Sequence, residues 1–103
     1  LIPAAWARRI EAMYLPGRDR TDPAISPALA DLSGLPPTLL HAAEGEVLAN
    51  DAKVVAGKRP QAALDLWPGL AHVWHIHTGR MPAADRALDA MGAWLKARAD
   101  APR

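Results

Sequence analysis

The chain has 103 residues, half of them hydrophobic, with 12 basic against 11 acidic side chains and a net charge of +1. That length suffices for one small domain, and the balanced charge argues against a nucleic-acid partner, because phosphate backbones demand a dense basic surface. Cysteine is absent, which excludes disulfides, thiolate nucleophiles and cysteine-ligated metals.

Targeting signals are also missing from the sequence. No stretch of about 18 apolar residues occurs, so no membrane-spanning helix is predicted. Residues 1–6 lack the basic leader and the apolar core of a secretion signal, and the chain begins with Leu1 instead of methionine. We therefore expect a cytoplasmic chain that begins inside a longer protein or is a processed product.

The first predicted element is a helix over residues 4–15. Trp6, Ile10 and Met13 recur at helical spacing, and a Pro-Gly pair at 16–17 ends the pattern. Residues 16–37 then hold five prolines and two glycines, which is turn chemistry. Because this stretch contains an apolar run at 28–32, it is predicted to be an ordered Pro-rich loop laid across the domain.

Two short apolar runs follow and predict a pair of parallel strands. Residues 38–43 carry no charge, as expected of a strand buried on both faces, and residues 62–67 form the second run. The segment between them is long enough for a crossover. It predicts a helix from about Val47, with Gly57 as its C-terminal cap. The predicted fold class is therefore α/β.

The last predicted element is a helix over residues 82–98. Pro82 suits its first turn, and apolar side chains form one stripe along it. Asp85 lies near the positive end of the helix dipole, and Lys96 and Arg98 lie near the negative end. These three signals agree on its direction and length.

Glu46 and His72 are the candidate catalytic residues, because each comes shortly after one predicted strand. Parallel strands about 4.8 Å apart end at the same sheet edge, which is where open α/β sheets place their active sites. An acid that orients a histidine there is part of an acyl-transfer site. A simpler interpretation makes Glu46 a helix N-terminal acid and His72 an ordinary loop residue.

No nucleophile accompanies this pair. Ser26 and Ser33 are the only serines, and neither lies in a Gly-x-Ser-x-Gly strand-to-helix turn. Both suit a turn or capping role in the Pro-rich loop. An oxyanion segment of the His-Gly-Gly-Gly type is also missing, so the chain taken alone is an incomplete catalyst.

A metal site is the second chemical possibility. His72, His75 and His77 fall within six residues, and three histidines can hold zinc. No fourth ligand stands at a convincing spacing, so no metal site is expected. His41, inside the first strand, is interpreted as a hydrogen-bonded core residue.

Four stretches in a distinctive order resemble the C-terminal part of the hormone-sensitive-lipase-like α/β-hydrolases, the bacterial carboxylesterase family. The resemblance runs from about Tyr14 to Leu95. The stretches are Asp22-Pro23-Ala24-Ile25-Ser26-Pro27, Leu32-Ser33-Gly34-Leu35-Pro36-Pro37-Thr38, Gly45-Glu46-Val47-Leu48 and Trp67-Pro68-Gly69-Leu70-Ala71-His72-Val73-Trp74.

The resemblance implies roles for both candidates. In that family the acid of the catalytic triad follows the seventh strand, at the position matching Glu46, and the histidine follows the eighth, at the position matching His72. Glu44 and Asp51 lie close enough to compete, but the match favours Glu46. Short- to medium-chain acyl esters are the implied substrates, and no cofactor is implied. Residues 1–103 would then be the C-terminal segment of an incomplete hydrolase domain.

Two departures from the family keep an alternative open. The nucleophile turn and oxyanion loop lie upstream of anything present here, and the stretch 51–64 is several residues shorter than usual. Losing a helical turn, about 5 Å, can displace His72 relative to Glu46. The alternative is a catalytically inactive module with a binding or self-association role. Because two strands leave an open sheet edge, self-association of the isolated chain is expected.

Overall fold

The structure is a computed structural model that describes residues 3–102. Its helices and strands are α1 (Ala4–Tyr14), β1 (Thr38–Ala43), α2 (Ala49–Lys58), β2 (Ala62–Trp67) and α3 (Pro82–Ala99), with 3-10 turns at Pro27–Leu29 and Trp74–His77. The chain divides into two compact units, the first ending at His72 and the second beginning at Val73. Each unit is described by itself.

The first unit is built on a parallel pair of strands, as the apolar runs predicted. β1 pairs with β2 in a register that runs from Thr38 opposite Ala62 to Ala43 opposite Trp67. α2 connects the two strands and packs against both. The α/β fold class is thereby confirmed. In this register both strands end level with each other.

Burial in the sheet is weaker than predicted for β1. Only its last two residues, Ala42 and Ala43, are buried, and the remaining positions of both strands are mostly half-buried. A strand buried on both faces needs a covering layer on each side. Within this unit only α2 packs on both strands, so the rest of the sheet stays accessible.

The bounds of α2 correct two details of the sequence prediction. The helix begins at Ala49 instead of Val47, because residues 46–48 still belong to the turn, where the Ala49 amide donates to the Glu46 carbonyl (3.2 Å). Gly57 is not the cap, since it lies inside the helix. The helix ends one residue later at Lys58, and the amide of the cap residue Arg59 donates to the Ala56 carbonyl (3.2 Å).

The Pro-rich loop between α1 and β1 is organised by aspartates. Asp19, Asp22 and Asp31 each accept, at 2.9 Å, the amide hydrogen of the residue two positions on. The amide of Thr21 holds the pKa of Asp19 below its ordinary value, and the amide of Ser33 does the same for the pKa of Asp31. Such turns satisfy backbone groups that no strand or helix satisfies.

The second unit consists of the Trp74–His77 turn and α3, which pack together. Pro82 occupies the first turn of α3, as predicted. Asp85 accepts hydrogen bonds from the Thr78 hydroxyl (2.6 Å) and the Gly79 amide (2.8 Å), and both lower its pKa. Within residues 3–102, no helix combines the length and the apolar character needed to cross a membrane.

Candidate active site

A tight turn after β1 places Glu46. The amide of Glu46 donates to the Ala43 carbonyl at 3.1 Å, and the Ala43 amide donates back to Oε1 of the Glu46 side chain at 2.9 Å. These reciprocal bonds close a four-residue loop at the end of the strand. Because Ala43 is fully buried, its amide needs this partner, and the carboxylate is held by it in return.

The position of His72 depends on the neighbouring strand. The Glu44 amide donates to the Trp67 carbonyl at 2.9 Å, so the pairing of the two strands continues one residue beyond β1. The chain then turns through Pro68-Gly69, where Gly69 has φ +70°, a conformation that side chains with a Cβ rarely adopt. This turn brings the loop that carries His72 alongside the loop that carries Glu46.

The two predicted side chains meet. Nδ1 of His72 forms a short contact with Oε2 of Glu46, across 26 residues of sequence. The Glu46 side chain is 9% exposed, whereas the His72 side chain is 35% exposed. One carboxylate oxygen therefore binds the backbone and the other binds the imidazole. With Nδ1 engaged, Nε2 is the ring nitrogen left to exchange a proton with a substrate.

An open pocket lies over this pair. The apolar side chains of Val47 and Leu70 line it together with the acid and the histidine, and two of its lining residues are glycines. The lining consists of Gly45, Glu46, Val47, Gly69, Leu70, Ala71 and His72. The site therefore combines one oriented imidazole with an apolar surface that can take a small organic group.

The competing acids lie elsewhere in the structure. Glu44 is exposed, and its amide donates to the Trp67 carbonyl in the strand pairing. Asp51 is an exposed acid in the first turn of α2, where the helix dipole favours it. Of the three acids considered, the structure joins Glu46 to His72.

The two serines are held in the Pro-rich loop. The Ser26 hydroxyl donates to the Arg20 carbonyl, and the Ser33 amide donates to the Asp31 carboxylate. These are the turn roles that the sequence predicted for them.

The other histidines do not assemble a metal site. Among residues 3–102, no group of three or more His, Asp or Glu side chains converges in a way that could hold a metal ion. His75 and His77 belong to the 3-10 turn of the second unit, where the His75 ring stacks on Trp74 at 4.0 Å. His41 in β1 lies opposite Asp65 of β2, with its Nε2 3.5 Å from the carboxylate.

Sequence reasoning missed two contributors. The Ala43 amide, which anchors Glu46, carries no side-chain signal, and only the short Glu44-Gly45 spacing hints at the turn. The second contributor is Arg59, which follows α2 directly, is 8% exposed and binds the Pro-rich loop. A lone arginine after a helix gives no sequence signal of burial.

Comparisons with known proteins identify the family of the chain. A family model described as the alpha/beta hydrolase fold matches residues 1–76. An acetyl-hydrolase from Streptomyces hygroscopicus is 37% identical over 100 residues, covering 93% of this chain and 33% of the relative. A carboxylesterase/phospholipase, LipF, from Mycobacterium tuberculosis is 36% identical, covering 90% of this chain and 26% of the relative.

Solved structures show the same likeness. A hormone-sensitive lipase from a metagenome library superposes with a TM-score of 0.86 at 32% identity, covering 95% of this chain and 35% of that protein. The protein EstE5 superposes with a TM-score of 0.91 at 30% identity, covering 98% of this chain and 36% of that protein. The chain thus spans about a third of the length of these relatives. It belongs to the α/β-hydrolase fold family and resembles its hormone-sensitive-lipase-like members.

Proposed function

We propose that residues 1–103 are the acid- and histidine-bearing C-terminal part of a serine carboxylic-ester hydrolase. The observation that carries the proposal is the Glu46 carboxylate, bound by the Ala43 amide on one oxygen and by His72 Nδ1 on the other. A carboxylate that serves only a helix dipole does not need an imidazole partner. The attacking serine is supplied from outside these residues.

The mechanism follows from which ring nitrogen is occupied. Glu46 keeps the proton on Nδ1, so Nε2 accepts the proton of the serine hydroxyl while its oxygen attacks the ester carbonyl. The imidazolium that forms is stabilised by the carboxylate. It then gives its proton to the departing alcohol, which leaves an acyl-serine. Water then attacks the acyl-serine while losing a proton to Nε2, and the imidazolium gives that proton to the departing serine oxygen, which releases the carboxylic acid and restores the serine hydroxyl.

Acyl esters of short to medium chain length are the proposed substrates. The pocket beside the pair is open and is flanked by Val47 and Leu70, which suits a small alkyl group better than a charged one. The relatives are described as an acetyl-hydrolase and a carboxylesterase/phospholipase, which supports the ester class. A cytoplasmic location is part of the proposal, and cell fractionation tests it.

A chimera tests the proposed reaction directly. This chain replaces the matching third of the Streptomyces hygroscopicus acetyl-hydrolase, and hydrolysis of p-nitrophenyl acetate is measured. We expect a working esterase in which His72→Ala lowers kcat by about 10³-fold or more. His77→Ala, an exposed histidine outside the pair, is the matched control and should leave the rate unchanged. If the His72→Ala chimera folds and hydrolyses the ester at the unchanged rate, the proposed catalytic role of His72 is refuted.

The inactive module remains the second candidate because one observation favours it. α1 has no buried residue, and its large side chains are exposed: Trp6 is 61%, Met13 76% and Tyr14 81% accessible. An apolar face of this kind promotes association. Sedimentation of the isolated chain over a hundredfold concentration range tests it, since a concentration-independent monomer would remove the self-association role.

A further inference from the structure

Arg59 is the one charged residue that the structure buries within residues 3–102, at 8% exposure. Burying a guanidinium is costly unless hydrogen bonds replace its water. Its position is also unusual, since it follows α2 directly and precedes β2 by three residues. A buried charge at that point needs a reason that helix termination alone does not give.

Its partners are carbonyls of the Pro-rich loop. Nη1 donates to the Ser33 carbonyl at 2.6 Å, and Nη2 donates to the Leu35 carbonyl. The planar fork of arginine suits two acceptors two residues apart, and lysine cannot reproduce that geometry. Lys58 adds only one long bond from the surface, from Nζ to the Ala30 carbonyl at 3.3 Å.

These bonds connect the starts of both strands. Ser33 and Leu35 lie just ahead of β1, separated from it by the stiff Pro36-Pro37 pair. On the other side, the carbonyl of Arg59 accepts the amide of Ala62, the first residue of β2, at 2.9 Å. Thr38 and Ala62, the first residues of the two strands, are also the first partners in the register.

We propose that Arg59 is a positioning residue for the Glu46–His72 pair, acting through the register of β1 and β2. A slip of one residue between paired strands turns every side chain of one strand to the opposite face. It would also move the turn carrying Glu46 by about 3.3 Å along the strand, beyond hydrogen-bond reach of His72. The two-carbonyl bond holds the strand starts so that the strand ends present acid and imidazole together.

This inference rests on the proposed function only where it gives the Glu46–His72 pair a role in catalysis. Its test measures the hydrogen bonds themselves and needs no catalytic activity. The probe is the exchange of backbone amides with deuterated water, followed by NMR on the whole 103-residue chain. The Ala43 amide reports the bond to Glu46, and the Val55 amide inside α2 reports general opening. The ratio of the Ala43 exchange rate to the Val55 exchange rate therefore separates an effect on the register of β1 and β2 from an effect on overall stability.

We expect Arg59→Met to raise the Ala43/Val55 ratio by about tenfold and to weaken the His72 Nδ1–H signal of the bond to Glu46. Arg59→Lys should have an intermediate effect, because one donor group replaces the fork. Lys58→Met removes the neighbouring surface cation and should change neither signal. Lys53→Gly weakens α2 at an exposed position and leaves the residues of the Pro-rich loop unchanged. It should therefore raise both exchange rates and leave the ratio no higher.

Three results would overturn the proposal. One is an unchanged ratio and His72 signal in folded Arg59→Met. Another is the same rise in ratio for Lys53→Gly, which would make the effect one of stability. The third is that neither Arg59→Met nor Arg59→Lys folds, which would assign Arg59 to general stability. Each is distinct from failure of the esterase chimera, because the exchange experiment never measures ester cleavage.

Discussion

At each end of the strand pair a charged side chain is hydrogen-bonded to the backbone, but the two side chains differ in their other partners and in their exposure. At the carboxyl end, the Glu46 carboxylate binds the Ala43 amide and the ring of His72, which stays 35% exposed. At the amino end, the Arg59 guanidinium binds two carbonyls and is 8% exposed. Under the proposed function, the Glu46 carboxylate serves catalysis because its second partner, His72, lines the pocket. Arg59, whose named partners are carbonyls, has the positioning role proposed above.

The register of the two strands also bears on the crossover between β1 and β2. The sequence raised the concern that the stretch 51–64 would shift His72 away from Glu46. The structure keeps the pair together because the strands stay in register from Thr38–Ala62 to Ala43–Trp67. Arg59 lies within that stretch, and its guanidinium binds the Ser33 and Leu35 carbonyls in the loop before β1.

The largest effect is expected from breaking the carboxyl end. In the esterase chimera, Glu46→Gln keeps an oxygen for the Ala43 amide but offers an amide hydrogen to Nδ1. That stabilises the wrong imidazole tautomer, so kcat should fall by about 10³- to 10⁴-fold with little change in KM. Steady-state ester hydrolysis measures it. Glu44→Gln, an exposed acid two residues away, is the control, and an equal loss there would contradict the assignment.

Breaking the amino end should also lower the free energy of unfolding. Arg59→Met removes two charge-assisted hydrogen bonds and leaves two carbonyls to find water, so unfolding should become about 2–3 kcal/mol easier. Urea titration followed by circular dichroism measures the change. Lys58→Met, with only one long surface bond, should stay within about 0.5 kcal/mol of the parent chain. Equal losses in the two variants would mean that burial of the guanidinium does not matter.

A smaller effect separates the two glycines of the pocket. Gly69 has φ +70°, whereas Gly45 has no positive φ, and an added Cβ would meet nothing within 4 Å at either. Gly69→Ala should therefore lose about 1–2 kcal/mol through backbone strain alone. Gly45→Ala should be close to neutral. Thermal unfolding of both variants checks this. Equal melting temperatures would contradict the claim that the turn before His72 requires glycine at position 69.

The smallest effect concerns acid pH at the amino end. The Ser33 amide lowers the pKa of Asp31 in the folded chain, so this carboxylate contributes stability above its unfolded pKa near 3.8. That contribution is lost as the pH falls through the folded value. Asp31→Asn keeps an oxygen for the Ser33 amide but cannot titrate. Its stability should therefore fall less steeply than the parent's below pH about 4, and parallel curves would contradict the prediction.

Local patterns were enough to locate the elements. The helical spacing of Trp6, Ile10 and Met13, the uncharged run 38–43 and the Pro82 start of α3 each correspond to an observed element. The errors fell at the ends of α2, where Gly57 was taken as a cap. Helix ends are decided by a few competing hydrogen bonds, and here the turn at Glu46 and the buried Arg59 decided them.

The amino-acid sequence by itself determined the strand pair, the class of fold and which acid and histidine follow the two strands, because these depend on neighbours a few residues apart. Tertiary structure alone decided that Oε1 of Glu46 would bind Ala43 and Oε2 would bind His72. It also decided that Arg59 would be buried against residues 24 and 26 positions earlier. Contacts across such separations depend on how distant parts of the chain pack together, and no local pattern encodes that.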